Sequence, residues 1–280
     1  MKESKSVFVR NKVRQSVGSA VILAIVFTLF FTGCRQKDSE QFVIIAHRGA
    51  SHAAPENTLA AFEKAMEFGS DYAELDVCQT KDGEIVLMHD ETLKRTTNGT
   101  GEIWTFTLKE LKQLDAGSWF GEEFKGAPVP TLLEVIQFVK GKMKLNIEVK
   151  VFRDEPEIAR KVVDIIRSEA FEKECIVTSF DRKIVEKVKQ IAPDIKTGFI
   201  FNKEYPLDVF EGDWDALCCN YRIVNKEFVL KAKNSHKIIY VWTVNRKEEM
   251  RRLIDLKVDG IITNFPDLLK EVVNKGTIIK

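Results

Sequence analysis

Four short stretches hold residue types able to do acid–base and metal chemistry: His47-Arg48, Glu74-Leu75-Asp76, His89-Asp90 and Glu148-Val149-Lys150. The chain has four histidines, His47, His52, His89 and His236, and two of them fall in the run AHRGASHAAPENT at 46–58. Imidazole titrates near neutral pH, so His47 and His89 are candidates for general acid and base. Three carboxylates brought together repel in a low dielectric unless a cation joins them. Glu74, Asp76 and Glu148 offer oxygen donors suited to one hard divalent ion, Ca²⁺ or Mg²⁺. No Cys/His spacing of a zinc site is present. Arg48 and Lys150 are cations able to hold a phosphate. The set describes phosphoryl-ester cleavage better than acyl transfer, and no Gly-x-Ser-x-Gly elbow is present.

These residues need elements that gather them. From residue 42 onward, short apolar runs alternate with amphipathic stretches. The runs are 42–47, 72–77, 144–149, 175–180, 197–201, 216–221, 238–244 and 260–264. In TLAAFEKAMEFG, Leu59, Phe62 and Met66 recur at helical spacing, with Asn57 or Thr58 as cap and Gly69 as stop. Residues 156–170, 181–192, 226–235 and 246–257 read the same way. Alternation of this kind predicts a parallel sheet, and its length fits one TIM-like (β/α)8 barrel in the α/β class. An open doubly wound sheet is the alternative, but no glycine-rich dinucleotide fingerprint favours it. Barrel sites lie at the carboxyl ends of the strands. In a strand, residues two apart share a face, so Glu74 with Asp76 and Glu148 with Lys150 can point inward together. Asp82-Gly83 signals a hairpin, and a two-residue loop there would set His89 opposite Asp76. Residues 91–131 read as an insertion rich in Thr, Gly and aromatics, with a short helix near Leu108–Leu114.

In order along the chain, HRGASHAAPENT, ELDV, HD, RTTNGTG, IEVK, TSF, WTVN and DGIITNFP resemble the glycerophosphodiester phosphodiesterase family, from about residue 43 to residue 267. The resemblance implies a TIM-like barrel with a small inserted segment after the HD motif. It implies metal bound by Glu74, Asp76 and Glu148, and His47 and His89 as the acid–base pair, with Arg48 and Lys150 near the phosphate. Glu56 and Asn57 match positions that support or line the site. Phe180 and Trp242 match aromatic positions bordering the glycerol end. His52 is expected to be exposed and non-catalytic, and His236 a loop residue at a helix end. The implied reaction is hydrolysis of a glycerophosphodiester to glycerol 3-phosphate and an alcohol. Lysophospholipids or glycerophosphate polymers are alternative substrates, and a non-catalytic binding lipoprotein is an alternative of another class.

The first 40 residues differ in composition from the rest. Five Lys and Arg precede residue 17, and residues 17–31, VGSAVILAIVFTLFF, are uncharged. A basic start, an apolar run and a small-residue exit describe a secretory signal. Thr32-Gly33-Cys34 resembles a bacterial lipoprotein processing site, with Cys34 lipidated and residues 35–41 as a polar tether to a single domain at 42–280. An uncleaved anchor and plain secretion are the alternatives. Each puts the domain outside the cytoplasm. Of 43 Lys and Arg and 42 Asp and Glu, five and one lie in residues 1–34, leaving 38 and 41 and a net charge of −3. No basic stripe stands out, so nucleic-acid binding is unsupported. The cysteines Cys78, Cys175 and Cys218 lie in apolar runs and read as buried thiols.

Overall fold

The computed structural model describes residues 42–277. The expected signal segment 1–34 with Cys34, the tether 35–41 and the last three residues lie outside these. Eight strands are parallel and close a ring: β1 (Val43–Ala46), β2 (Tyr72–Gln79), β4 (Lys144–Val149), β5 (Cys175–Ser179), β6 (Lys196–Phe201), β7 (Ala216–Asn220), β8 (Ile238–Trp242) and β9 (Gly260–Thr263). β1 sits between β2 and β9, which shuts the barrel. The remaining strand, β3 (Ile85–Leu87), is antiparallel to β2 and outside the ring.

Strand alternation builds two layers. Leu75, Val77, Leu145, Ile147 and Val177 point outward into a core shared with the helices. Ile45, Ile176, Ile200, Cys218, Tyr240 and Ile262 fill the barrel interior. Helices pack around the ring: α1 (Leu59–Glu67), α3 (Leu132–Val139), α4 (Ile158–Ser168), α5 (Arg182–Ile191), α6 (Lys226–Asn234), α7 (Lys247–Asp255) and α8 (Pro266–Thr277), while α2 (Leu108–Leu111) lies in the insertion. Thr58, not Asn57, caps α1, its side chain accepting from the Ala61 N–H. Asn57 is left free for the site. α3 and α8 were not expected from periodicity. α3 buries Leu132, Val135, Ile136 and Val139 at helical spacing and leaves Leu133, Glu134 and Gln137 exposed. The β6–β7 crossover departs from the ideal repeat. It carries no regular helix, and buried Val209 and Trp214 fill that place. Among the described residues, no helix is long and apolar enough to cross a membrane.

The expected two-residue hairpin is corrected by one residue. Val77 pairs with Leu87 and Gln79 with Ile85, so Asp76 faces Met88 rather than His89. The loop is Lys81-Asp82-Gly83. Thr80 N–H donates to the Glu84 carbonyl at 2.9 Å, the Thr80 hydroxyl donates to Asp82, and Gly83 takes a φ of +87°. That positive φ is the reason for a glycine there. His89 still reaches the site, because β3 stops at Leu87 and the chain then turns back over the ring.

Segment 91–131 has its own apolar centre, with Leu93, Ile103, Leu111 and Val129 buried against Val86 and Met88. A capping box at Thr107 and Glu110 starts α2. Cys78, Cys175, Cys218 and Cys219 are buried and unpaired. His236, at φ +55°, follows α6 directly.

Candidate active site

The carboxyl ends of β1, β2 and β4 supply most of the charged residues. Parallel register does the gathering: Glu74 lies beside Asn146, and Asp76 beside Glu148. One oxygen from each of Glu74, Asp76 and Glu148 lies within 4.8 Å of the others, and all three residues are buried. Just past β1 the chain turns sharply, with Arg48 at φ +57° and Gly49 at +77°. A Cβ on Gly49 would come 2.6 Å from the Ala61 backbone, so glycine alone fits. This turn aims the Arg48 N–H at Glu74 Oε2, 2.8 Å away. The Asn57 side chain braces Asp76 twice, donating to Oδ2 at 2.9 Å and accepting from the Asp76 N–H at 3.2 Å.

Two cations flank the carboxylates. Lys150 Nζ contacts Glu148 and lies 3.1 Å from Asp76 Oδ1. Arg48 Nε lies 3.2 Å from Asp76 Oδ2, and its Nη1 donates to Glu56 at 2.8 Å. These surroundings split the three acids. Burial alone would raise the Asp76 carboxyl, but Lys150 and Arg48 outweigh it and hold Asp76 at about 2. Burial and the nearby Asp76 push Glu148 up to about 7. Glu74 is raised well above the usual range by burial, Asp76 and Glu148. Its Oε1 is buried with no hydrogen-bond partner. Three converging carboxylates, with Glu74 Oε1 left unpartnered, fit a hard divalent cation with room for further ligands.

The two histidines are held differently. His47 Nδ1 donates to the Asn264 side-chain oxygen at 2.6 Å, which leaves Nε2 facing Glu74 Oε2 at 3.9 Å. Burial, then Arg48, lowers His47 to about 4, so its ring is neutral at pH 7. His89 Nδ1 donates to Asp90 at 2.6 Å, which leaves its Nε2 as the free ring nitrogen. Both rings line a cavity of about 140 Å³ together with Arg48, Glu74, Glu148 and Lys150. Its far wall is apolar, from Phe180, Trp242, Ile200 and Ile262. Phe180 and Trp242 meet edge to face at 5.7 Å, and Phe180 is half exposed at the mouth.

His52 is corrected. It is not exposed but packs between Phe68 and Phe265, with Nδ1 bonded to the Asn264 carbonyl oxygen at 2.8 Å. It lines no part of the cavity. Asn264 and Arg95 escaped the sequence reading. Both lay inside quoted motifs, TNFP and RTT, but Asn264 holds His47, 217 residues away, and Arg95 joins Asp90, five residues before it, to Glu56, 39 residues away. Only the fold reveals such pairings.

Comparison with known proteins covers the same span. The Glycerophosphoryl diester phosphodiesterase family matches residues 47–268. A glycerophosphodiester phosphodiesterase of Caldanaerobacter subterraneus is 41% identical, over 84% of this chain and 98% of that one. Among solved structures, an Oleispira antarctica phosphodiesterase in complex with the product sn-glycerol-3-phosphate superposes with a TM-score of 0.78 at 31% identity, covering 82% of this chain and 96% of that one. A glycerophosphodiester phosphodiesterase of Agrobacterium tumefaciens gives 0.72 at 30%, covering 82% and 99%. The family match runs from residue 47, just past β1, to residue 268 and includes the insertion, and on that ground this chain belongs to the glycerophosphoryl diester phosphodiesterase family.

Proposed function

We propose that the protein hydrolyses glycerophosphodiesters to glycerol 3-phosphate and an alcohol, with Glu74, Asp76 and Glu148 holding one divalent cation, Ca²⁺ or Mg²⁺. The observation that carries this reading is a cluster of three buried carboxylates, two of which, Glu74 and Glu148, line one small cavity together with the imidazoles of His47 and His89. When bound, such an ion supplies Lewis-acid polarisation of a phosphoryl oxygen and activates a nearby hydroxyl. Arg48 and Lys150 hold the phosphoryl oxygens and offset their developing charge. Neutral His47, backed by the uncharged Asn264 amide, accepts the proton of the nucleophile. His89, its Nδ1–H held by the Asp90 carboxylate, delivers the Nε2 proton of its imidazolium form to the leaving alcohol and is left as the neutral Nδ1–H tautomer. The nucleophile is water or the neighbouring glycerol hydroxyl.

Sites that enclose drug-sized molecules span roughly 300–1,000 Å³. A cavity of about 140 Å³ encloses far less. It suits a glycerophosphate unit beside Phe180 and Trp242, with the leaving alcohol outside. Such an arrangement leaves lysophospholipids and glycerophosphate polymers as a second substrate reading, because the half-exposed Phe180 gives the mouth an apolar lip. The test is release of glycerol 3-phosphate from glycerophosphoethanolamine, a lysolipid and polyglycerophosphate, each with and without chelator. Chelator-sensitive release is expected. Binding without release would replace the enzyme by a glycerophosphodiester-binding protein.

The basic, apolar and Thr-Gly-Cys segments support a further reading: an exported lipoprotein tethered through lipidated Cys34. Cys34→Ala then moves the protein from the membrane fraction to the soluble one. Unchanged fractionation would refute the lipid anchor.

A further inference from the structure

The insertion holds an arginine that touches none of the cavity yet grips both residues that back its reactive side chains. Arg95 Nη1 and Nη2 donate to Glu56 Oε2 and Oε1 at 2.7 and 2.8 Å. Its Nε and Nη2 donate to Asp90 Oδ2 and Oδ1 at 2.6 and 2.9 Å. One planar guanidinium thus bridges two carboxylates, each in a paired geometry. Each carboxylate then reaches inward. Asp90 Oδ1 accepts from His89 Nδ1, and Glu56 Oε1 accepts from Arg48 Nη1. Arg48 in turn lies against Asp76.

We infer that Arg95 is a positioning residue for the reaction proposed above. Through Asp90 it fixes the ring orientation and Nδ1–H tautomer of His89, and through Glu56 it fixes the Arg48 fork. The reading rests on that proposed activity for its kinetic consequence only. Without Arg95, two carboxylates would face one another with no shared cation, and Glu56 and Asp90 would lose the atoms that set their planes. Leu93, two residues earlier, is fully buried in the apolar centre of the insertion and donates its N–H to the Gly101 carbonyl. The turn that carries Arg95 is therefore anchored. This gives the insertion a job beyond covering β3: it sets the alignment of the rim.

A plain surface ion pair would behave otherwise. Arg95 is 43% exposed at its side chain, and exposed ion pairs contribute little to stability. Removing it should therefore spare the fold while the chemistry suffers. Outer partners of reactive groups typically cost about 10–100-fold when lost, and Arg95→Ala is expected to lower kcat by that order with little change in Tm. Arg95→Lys keeps the charge but cannot span four carboxylate oxygens, so it should keep Tm and fail to restore kcat. Asp90→Asn should act mainly on kcat, and Glu56→Gln mainly on KM. Proton–nitrogen NMR of the imidazoles in the metal-free full chain gives a readout that needs no activity, with His89→Gln identifying the signal. The Nδ1–H form of His89 is expected in the wild type and should be lost or mixed in Arg95→Ala. If the wild type proves inactive, the activity reading fails and the NMR comparison still decides. An active wild type with wild-type-like kcat in Arg95→Ala, or an unaltered His89 signal in that variant, overturns the inference.

Discussion

Glu74 and Glu148 carry protons in the metal-free protein further up the pH scale than ordinary glutamates, because they are buried beside Asp76. Ligands must be ionised to hold a cation. Apparent Ca²⁺ or Mg²⁺ affinity should therefore weaken as pH falls from about 8 to about 6, through the Glu148 value of about 7. Calorimetric titration at the two pH values checks this, and equal affinities would contradict it. The sign for stability is opposite. A folded carboxyl raised above its unfolded value binds more protons in the native state, so the metal-free fold loses stability as pH rises from the ordinary glutamate range through about 7. A bound divalent ion should restore it. Glu74→Gln tests both halves. It replaces a buried carboxyl whose Oε1 has no partner by a permanently neutral amide, so the metal-free Tm should hold or rise while the Tm gain on adding metal disappears. A large loss of metal-free Tm would show that the carboxyl itself is structural. For the histidines, His47→Ala and His89→Ala should each lower kcat by about 10²–10⁴-fold without unfolding. Near-normal turnover in either purified variant removes that ring from the chemistry.

Three aspartates form a repeated element that the motifs did not announce. Asp71, Asp215 and Asp259 each stand just before a strand, at the barrel end opposite the cavity. Their carboxylates accept from the backbone N–H of Ile44, Thr197 and Ile239 on the neighbouring strand, each at 2.8 Å. Each aspartate N–H also donates back to the carbonyl of that same residue. The pair acts as an extra rung at the foot of the ladder. Leaving a buried donor unmet costs about 1–3 kcal/mol, so Asp259→Ala should lose about that much in urea unfolding and leave kcat unchanged. A shift in kcat would place the aspartate in the chemistry instead. The same scale shows what the sequence could express. Period-two alternation in YAELDV and KLNIEV put Glu74, Asp76 and Glu148 on inward faces, and the structure brings them together. Strand positions were legible because each run is apolar and bounded by turn residues. The hairpin register was not, because a hydroxyl and a carboxylate, Thr80 and Asp82, select a three-residue loop over the two-residue loop that Asp-Gly suggests. Asn264 and the Glu56 half of the Arg95 bridge were hidden because hydrogen bonds across 217 and 39 residues leave no local period.

For the molecule as a whole, the ring closes through β1, which has β2 on one side and β9 on the other. Val43–Ala46 pairs residue for residue with Gly260–Thr263. The His47 ring is held by Asn264, one residue past β9. A chain truncated after Asp255 should therefore lose both the seal of the barrel and the anchor of His47. Loss of cooperative unfolding together with activity is the expected result, and a folded, active truncate would mean that β1 needs only one neighbour. Protein synthesis proceeds from the amino end, so β1 leaves the ribosome early and its second partner emerges near the end. Throughout that interval the nascent polypeptide displays an unsatisfied strand edge, the kind of surface on which chains cross-associate. The ring's last seam thus leaves the growing chain open to cross-association until β9 has been made.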